Sequence, residues 1–200
     1  QGNEGNGRLG IEATLHLPEV LVIDHEDNIY LTQRSGNAWI IRKFSAEGII
    51  THFAGNGRQG NTGDAGPATE ASFHTISDIA ADGSGNIFIA DSINRNIRKI
   101  DKQGIISTIA EASLEALGTE VHPNGIVFDK VGSIFFSDSG SSKVYKIDTS
   151  GAITLIAGTG DFGDHGDEGP ALEAGLRSPG GLAIGPDGSL YIAEQTTHRI

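Results

Sequence analysis

Seven polar residues have side chains suited to binding or catalysis, and each stands beside a short apolar run. They are His16, His74, His122 and Asn124, which precede such runs, and Asp91, Asp138 and Glu194, which end them. Imidazoles that converge can bind Zn²⁺, whereas carboxylate and amide oxygens suit Ca²⁺ or Mg²⁺. Whether these side chains meet depends on the elements that carry them.

The apolar runs belong to an internal repeat. The phrase DNIYLTQ at 27–33 returns as GNIFIAD at 85–91, GSIFFSD at 132–138 and GSLYIAE at 188–194. The equivalent residues Ile29, Ile87, Ile134 and Leu190 are separated by 58, 47 and 56 positions. These separations are typical of one propeller blade.

Each copy contains four short segments rich in β-branched residues, separated by turn-forming dipeptides. In the first copy we predict strands A to D at 20–24, 28–32, 40–45 and 49–54. Strand A is almost continuously apolar, which predicts the innermost strand, packed on both faces. Strand C alternates basic and apolar residues, as in Ile97-Arg98-Lys99-Ile100, which predicts a position nearer the solvent with one face buried.

The predicted fold is an all-β β-propeller of four-stranded antiparallel blades. One partial domain covers 1–200, with three complete blades and half of a fourth, and we expect it to be a fragment of a six-bladed propeller. The predicted blades are 19–58, 77–111, 124–160 and 180–200 (incomplete), and the linkers are 1–18, 59–76, 112–123 and 161–179.

The linkers share a Gly-rich acidic phrase. GNTGDAGPATEASFH at 60–74 returns as GDHGDEGPALEAGLR at 163–177, with a related copy at the N-terminus and a shortened form at 111–122. We predict that its glycines turn the chain between blades and that Phe73 or Leu176 packs between neighbours. Asp64, Asp164 and Asp167 are interpreted as turn-forming residues, with Ca²⁺ ligation as the alternative.

Because the strands alternate in direction, the start of A, the end of B and the linkers meet on one face of the blades. All seven polar residues therefore lie on this face, which we predict to be the binding face.

The unit GNIFIADSINRNIRKIDKQGIISTIA with its Gly-rich linker resembles the NHL-repeat family of β-propellers. In that family, the residue equivalent to Asp91 ties together neighbouring loop backbones, and a carboxylate can accept two or more such bonds. Long Gly-Asp-Gly-Pro linkers resemble those of bacterial extracytoplasmic proteins and teneurin-like adhesins. The resemblance implies an extracellular, periplasmic or cell-surface location.

Two further resemblances imply metal sites. HPNGI at 122–126 and SDS at 137–139 resemble motifs of gluconolactonase-like propellers, in which asparagine and carboxylates hold a divalent cation. If such a site is present here, its candidate ligands are Asn124, Asp138 and Glu194. The histidines resemble the zinc site of peptidyl-hydroxyglycine lyases. However, the carboxylates recur in several blades, whereas a catalytic residue is needed only once, so we assign no catalytic residue and no cofactor.

The sequence therefore predicts a non-enzymatic scaffold that presents a protein- or glycan-binding face within a larger protein. The alternative is a metal-dependent lactonase, hydrolase or lyase with an axial pocket. A formal charge of −12 argues against a nucleic-acid partner, and no apolar run is long enough to insert into a membrane.

Overall fold

The computed structural model describes residues 4–109, 114, 117 and 121–200. The predicted fold class is confirmed: three four-stranded antiparallel sheets and one two-stranded sheet follow one another along the chain, each with its strands in sequence order. Most of the shortened linker predicted at 112–123 lies outside the described residues.

The strands of the four blades are numbered in chain order. The first blade contains β1 (Leu21–Ile23), β2 (Ile29–Ser35), β3 (Ala38–Phe44) and β4 (Ile50–Ala54). The second contains β5 (Ile76–Ala81), β6 (Ile87–Asp91), β7 (Asn96–Ile100) and β8 (Ile106–Ile109). The third contains β9 (Pro123–Phe128), β10 (Ile134–Asp138), β11 (Lys143–Ile147) and β12 (Ile153–Ala157), and the fourth contains β13 (Pro179–Ile184) and β14 (Leu190–Glu194).

The first blade has the longest central hairpin. Ser35 pairs with Ala38 at its end, and Gly36 occupies the left-handed region at φ 66°. The first copy carries two more residues around Trp39 than the second copy, and they lengthen β2 and β3 beyond the predicted 28–32 and 40–45. Arg34 lies 4.4 Å above the ring of the buried Trp39, which attaches the lengthened hairpin to the core.

The chain divides into two compact units. The first comprises Gln1–Ile89 and Arg98–Thr108, and the second comprises Ala90–Ile97 and Ile109–Ile200. The core of the first contains Phe73, Ile76, Ile87 and Trp39. In the second, Leu176 packs with Val144 and Ala157. Both predicted linker anchors, Phe73 and Leu176, are thus buried, at 0% and 8% exposure.

The prediction that strand C lies near the solvent with one face buried is wrong for β7. Four of its five residues are buried, including Arg98, whose side chain is fully enclosed. The covering element is the linker before the blade: Arg98 donates hydrogen bonds to Asn61 Oδ1 (3.2 Å), the Thr62 carbonyl (3.3 Å) and Asp64 Oδ1 (2.5 Å).

The linkers also extend the sheets. Residues 64–68, here called the second strap, lie antiparallel to the edge strand β8 with a bridge between Pro67 and Ile105. Residues 6–10, the first strap, lie in the same way along β4 with a bridge between Leu9 and Ile49. Each strap pairs the backbone of an edge strand that would otherwise be open to other chains.

Candidate functional site

The predicted face of the third blade is organised around His122 and Asp138. Asp138 ends β10 opposite Pro123, the first residue of β9, so His122 lies directly before the paired strands. The His122 backbone N–H donates to Asp138 Oδ1 at 2.9 Å, and His122 Nδ1 lies 3.2 Å from the Ser92 carbonyl. Because a carbonyl oxygen only accepts, Nδ1 carries the proton in this contact, which in the neutral imidazole places the lone pair on Nε2.

The three carboxylates at the ends of strands bind their own turns. Asp138 is fully buried and also accepts hydrogen bonds from the N–H groups of Gly140 (3.0 Å) and Ser141 (3.3 Å) and from the Ser141 hydroxyl. Both carboxylate oxygens of Asp138 are thereby used as acceptors, as in a turn held together by one carboxylate.

Asp91 and Glu194 form the same local contact. Asp91 accepts a hydrogen bond from Asn94 Nδ2 at 2.7 Å, and Glu194 accepts one from the Thr197 hydroxyl. In both cases the donor lies three residues after the carboxylate, as Ser141 does for Asp138. This recurrence across blades is the pattern of a structural repeat.

Asn124 lies on β9 beside a buried hydrogen-bond bridge that the sequence did not reveal. The Ser137 hydroxyl accepts from the Gly125 N–H at 2.8 Å and donates to the Gly180 carbonyl at 2.6 Å, which joins β9 to β13. A Cβ on Gly125 would lie 2.3 Å from that carbonyl oxygen. Glycine is therefore required at this approach, and Asn124 is half-buried next to it.

His16 and His74 take equivalent positions in the first two blades, and each contacts a residue of its own unit. His16 is exposed, and its carbonyl accepts the Arg34 N–H at 3.0 Å. His74 is half-buried, with Nδ1 3.2 Å from the Thr75 hydroxyl. Both lie in the first unit, whereas Asp91, His122, Asn124, Asp138 and Glu194 lie in the second.

Two of the three residues considered for a divalent cation, Asp138 and Glu194, take part in hydrogen bonds of their own turns. Among residues 4–109, 114, 117 and 121–200, no three His, Asp or Glu side chains form a group that could hold an ion. Asp138 and Glu194 use carboxylate oxygens to bind the hydroxyls of Ser141 and Thr197.

The acidic residues of the linkers have structural partners. Asp64 binds Arg98 and accepts the Thr108 N–H at 3.0 Å. Burial alone would raise the pKa of Asp64, but the hydrogen bonds from Thr108 and Arg98 hold it below its ordinary value. Asp167, the equivalent residue of the next long linker, is exposed and lies 3.9 Å from Arg199.

A polar cleft of about 260 Å³ lies at turns of the first unit. Asp24, which lines it, accepts hydrogen bonds from the Asn28 backbone (2.9 Å) and from the Tyr30 hydroxyl (3.1 Å). Burial would raise the pKa of Asp24, but these bonds lower it overall. Burial and the Asp24 charge both raise the pKa of Tyr30. The pair is thus a carboxylate bound to a neutral phenol, and neither group is poised to act as a base near neutral pH.

Residues 56–118 match the family model described as the teneurin NHL domain. This match covers the second blade with its linker and confirms the predicted resemblance to NHL-repeat propellers. Among curated proteins, none matches the sequence significantly.

Solved propellers share the fold. Virginiamycin B lyase from Staphylococcus aureus is 19% identical with a TM-score of 0.60, over 88% of this chain and 48% of that chain. A propeller from a nidogen–laminin complex is 19% identical with a TM-score of 0.61, over 92% and 62%. A protein described provisionally as a gluconolactonase is 13% identical with a TM-score of 0.57, over 90% and 58%. The chain thus spans about half to three-fifths of the length of these structures.

The described helices are all too short or too polar to cross a lipid bilayer.

Proposed function

We propose that the chain is a non-enzymatic scaffold, part of a larger protein, whose predicted face binds a protein or glycan ligand. The observation that carries this proposal is the state of the carboxylates. Asp138 accepts four hydrogen bonds from its own blade, and Asp91 and Glu194 hold their own turns. Carboxylates that hold turns in this way shape a face, which supports a binding role over metal ligation or general-base catalysis.

A location outside the cytoplasm is part of the proposal. The long Gly-Asp-Gly-Pro linkers and the match of residues 56–118 to a teneurin NHL domain support it. A propeller of similar fold was solved in a complex of two proteins, nidogen and laminin, which is consistent with a protein-binding role for such a face.

Two probes test the scaffold: an array of immobilised glycans and a panel of purified extracellular protein domains. We expect a ligand whose affinity falls by about tenfold or more with Asn124→Ala, because a half-buried amide in an interface contributes about 1–2 kcal/mol. Gln103→Ala is the matched control, since Gln103 is exposed on a C–D turn. Failure of both probes, or equal loss with the control, would contradict the proposed binding face.

Metal content gives a second test. After dialysis against Ca²⁺, Mg²⁺ and Zn²⁺, elemental analysis should find less than one equivalent of each metal. One equivalent that is lost in Asn124→Ala would replace the scaffold proposal with a metal site.

A lyase or hydrolase is the second candidate, and the orientation of His122 favours it. In the neutral imidazole, its Nδ1 contact with the Ser92 carbonyl places the lone pair on Nε2, as a general base requires. Similar folds include virginiamycin B lyase and the provisional gluconolactonase. This candidate predicts opening of quinupristin or hydrolysis of glucono-δ-lactone, lost in His122→Ala. The scaffold predicts that both rates equal those in buffer.

A further inference from the structure

The two straps satisfy the same four backbone groups of their edge strands. In the second blade, the Gly104 carbonyl accepts from the Ala68 N–H, and the Thr108 N–H donates to Asp64 Oδ2. Between them, the Ile106 N–H donates to the Gly66 carbonyl and the Ile106 carbonyl accepts from the Ala65 N–H. In the first blade, the Gly48 carbonyl accepts from the Gly10 N–H, and the His52 N–H donates to Asn6 Oδ1. Between them, the Ile50 N–H donates to the Arg8 carbonyl and the Ile50 carbonyl accepts from the Gly7 N–H. The first strap and the second strap therefore follow one hydrogen-bond plan.

The third blade has the same edge without a strap from the described residues. Ile153 pairs with Ile147 as Ile50 pairs with Phe44, and Leu155 pairs with Tyr145 as His52 pairs with Arg42. The equivalent outward groups are therefore the Gly151 carbonyl, both groups of Ile153 and the Leu155 N–H. Within residues 4–109, 114, 117 and 121–200, none of these groups has a hydrogen-bond partner.

Among the three blades, the length of the linker and the residue at the arginine position vary together. The linkers before the first two blades contain the long Gly-rich phrase, and their blades carry the buried Arg42 and Arg98. The linker before the third blade is the shortened form, and Tyr145 stands at the arginine position, stacked on Phe136 at 5.3 Å. The third blade has thus exchanged the strap-binding arginine for a residue of its own core.

We propose that the β12 edge of the third blade binds an extended segment of a partner protein, which adds to the sheet as an antiparallel strand in the manner of a strap. Backbone pairing at an exposed sheet edge is a general mode of peptide recognition. The face of Ile153 and Leu155 is only half-buried and Thr154 is exposed, so the edge is accessible. The proposal shares no residue with the predicted binding face, and each can fail without the other.

The two internal straps define the chemistry of the partner. Both begin with a side-chain oxygen acceptor, Asn6 or Asp64, which is followed by a small residue, and both place an apolar residue, Leu9 or Pro67, at the bridge. Because Tyr145 supplies no cation and the chain has a net charge of −12, an asparagine-led, neutral or basic segment fits better than an aspartate-led one. The Asn-Gly-Arg-Leu-Gly sequence of the first strap has this chemistry.

The test is a titration of the 200-residue chain with a synthetic peptide of residues 4–11, EGNGRLGI, followed by residue-resolved amide exchange. We expect saturable binding that slows exchange of the Ile153 and Leu155 amides by about tenfold or more, and weaker binding of the peptide with aspartate for asparagine. Leu155→Pro removes one outward N–H without breaking the β11–β12 ladder and should abolish binding. Leu155→Ala keeps that N–H and should retain it.

Three results would overturn the proposal. The first is no protection at saturating peptide, or protection that survives Leu155→Pro. The second is strong protection of both amides in the free monomer, which would show that the chain covers its own edge. The third is protection that rises with protein concentration together with the mass of a dimer, which would assign the edge to a second copy.

Discussion

The straps of the first and second blades bind with the same backbone hydrogen bonds but with different anchoring chemistry. In the second blade, the carboxylate of Asp64 joins the enclosed guanidinium of Arg98 to the edge strand. In the first, Asn6 stands in place of Asp64, and Arg42 donates to the Glu4 carbonyl at 3.4 Å; burial lowers the pKa of Arg42. The backbone pattern is thus repeated while the charge is not, which indicates that the backbone determines where a strap lies and the side chains determine how firmly it is held.

The sharpest test of this comparison adds the third blade, whose edge has no strap among the described residues. The amides of Ile153 and Leu155 should exchange about a hundredfold or more faster than those of Ile106 and Thr108, because only the latter donate to a strap. Residue-resolved hydrogen exchange measures this difference. Equal rates at the two edges would remove the distinction between strapped and open blades.

Removal of the charge should loosen the second strap strongly. Asp64→Ala leaves a guanidinium enclosed without its carboxylate, and the free energy of unfolding should fall by about 2–3 kcal/mol, below the usual loss for a broken buried pair because Asp64 is half-exposed. Denaturant titration measures it, with exchange at the Ala65 and Ala68 amides as the local readout.

The conservative control is Asp64→Asn, which recreates the residue of the first strap. It should cost about 1 kcal/mol, since an amide oxygen still accepts the Thr108 N–H. A loss equal to that of Asp64→Ala would show that the charge, and not the acceptor, holds the second strap.

The first strap should depend less on its anchor. Asn6→Ala removes the acceptor of the His52 N–H, and we expect a loss of about 1 kcal/mol, seen as faster exchange at the Gly7 and Gly10 amides. A loss as large as that of Asp64→Ala would show that both straps are anchored equally.

Lowering the pH should weaken the second strap relative to the first, and this is the smallest of the expected effects. The folded-state pKa of Asp64 is below its ordinary value, so its contribution is present above the unfolded-state pKa of about 3.9 and is lost as the pH falls through the lower, folded-state pKa. Below about pH 4, exchange at Ala65 and Ala68, corrected for its intrinsic pH dependence, should rise relative to that at Gly7 and Gly10. Asp64→Asn should remove the difference between the straps.

The repeating phrases allowed the strands to be predicted closely, because each blade is built from local hairpins whose turns and apolar residues are visible in sequence. For β4, predicted at 49–54, the structure gives Ile50–Ala54. The straps could not be predicted in this way, since their bonds join residues far apart, as Asp64 and Thr108 are, and a glycine-rich phrase is typical of a turn. A signal was nevertheless present: arginine occurs on strand C where the linker is long, and Tyr145 where it is short.

For the candidate site, topology predicted which residues share a face but not how their hydrogen bonds are used. Asp138 and Glu194 have the residue types of ligands, yet their oxygens accept from Ser141 and Thr197. The Ser137 bridge was invisible because it depends on the close approach of Gly125 and Gly180. Side-chain chemistry alone could not distinguish a carboxylate that holds a turn from one that faces a ligand.

The straps also impose an order on biosynthesis. Asp64 precedes its partner Thr108 by 44 positions, so a ribosome completes the second strap well before the edge strand that it will cover. The edge strand can therefore pair as it leaves the exit tunnel, before another nascent chain can reach it. The β12 strand has no strap among the described residues to receive it, so during translation its edge remains open to association with neighbouring chains.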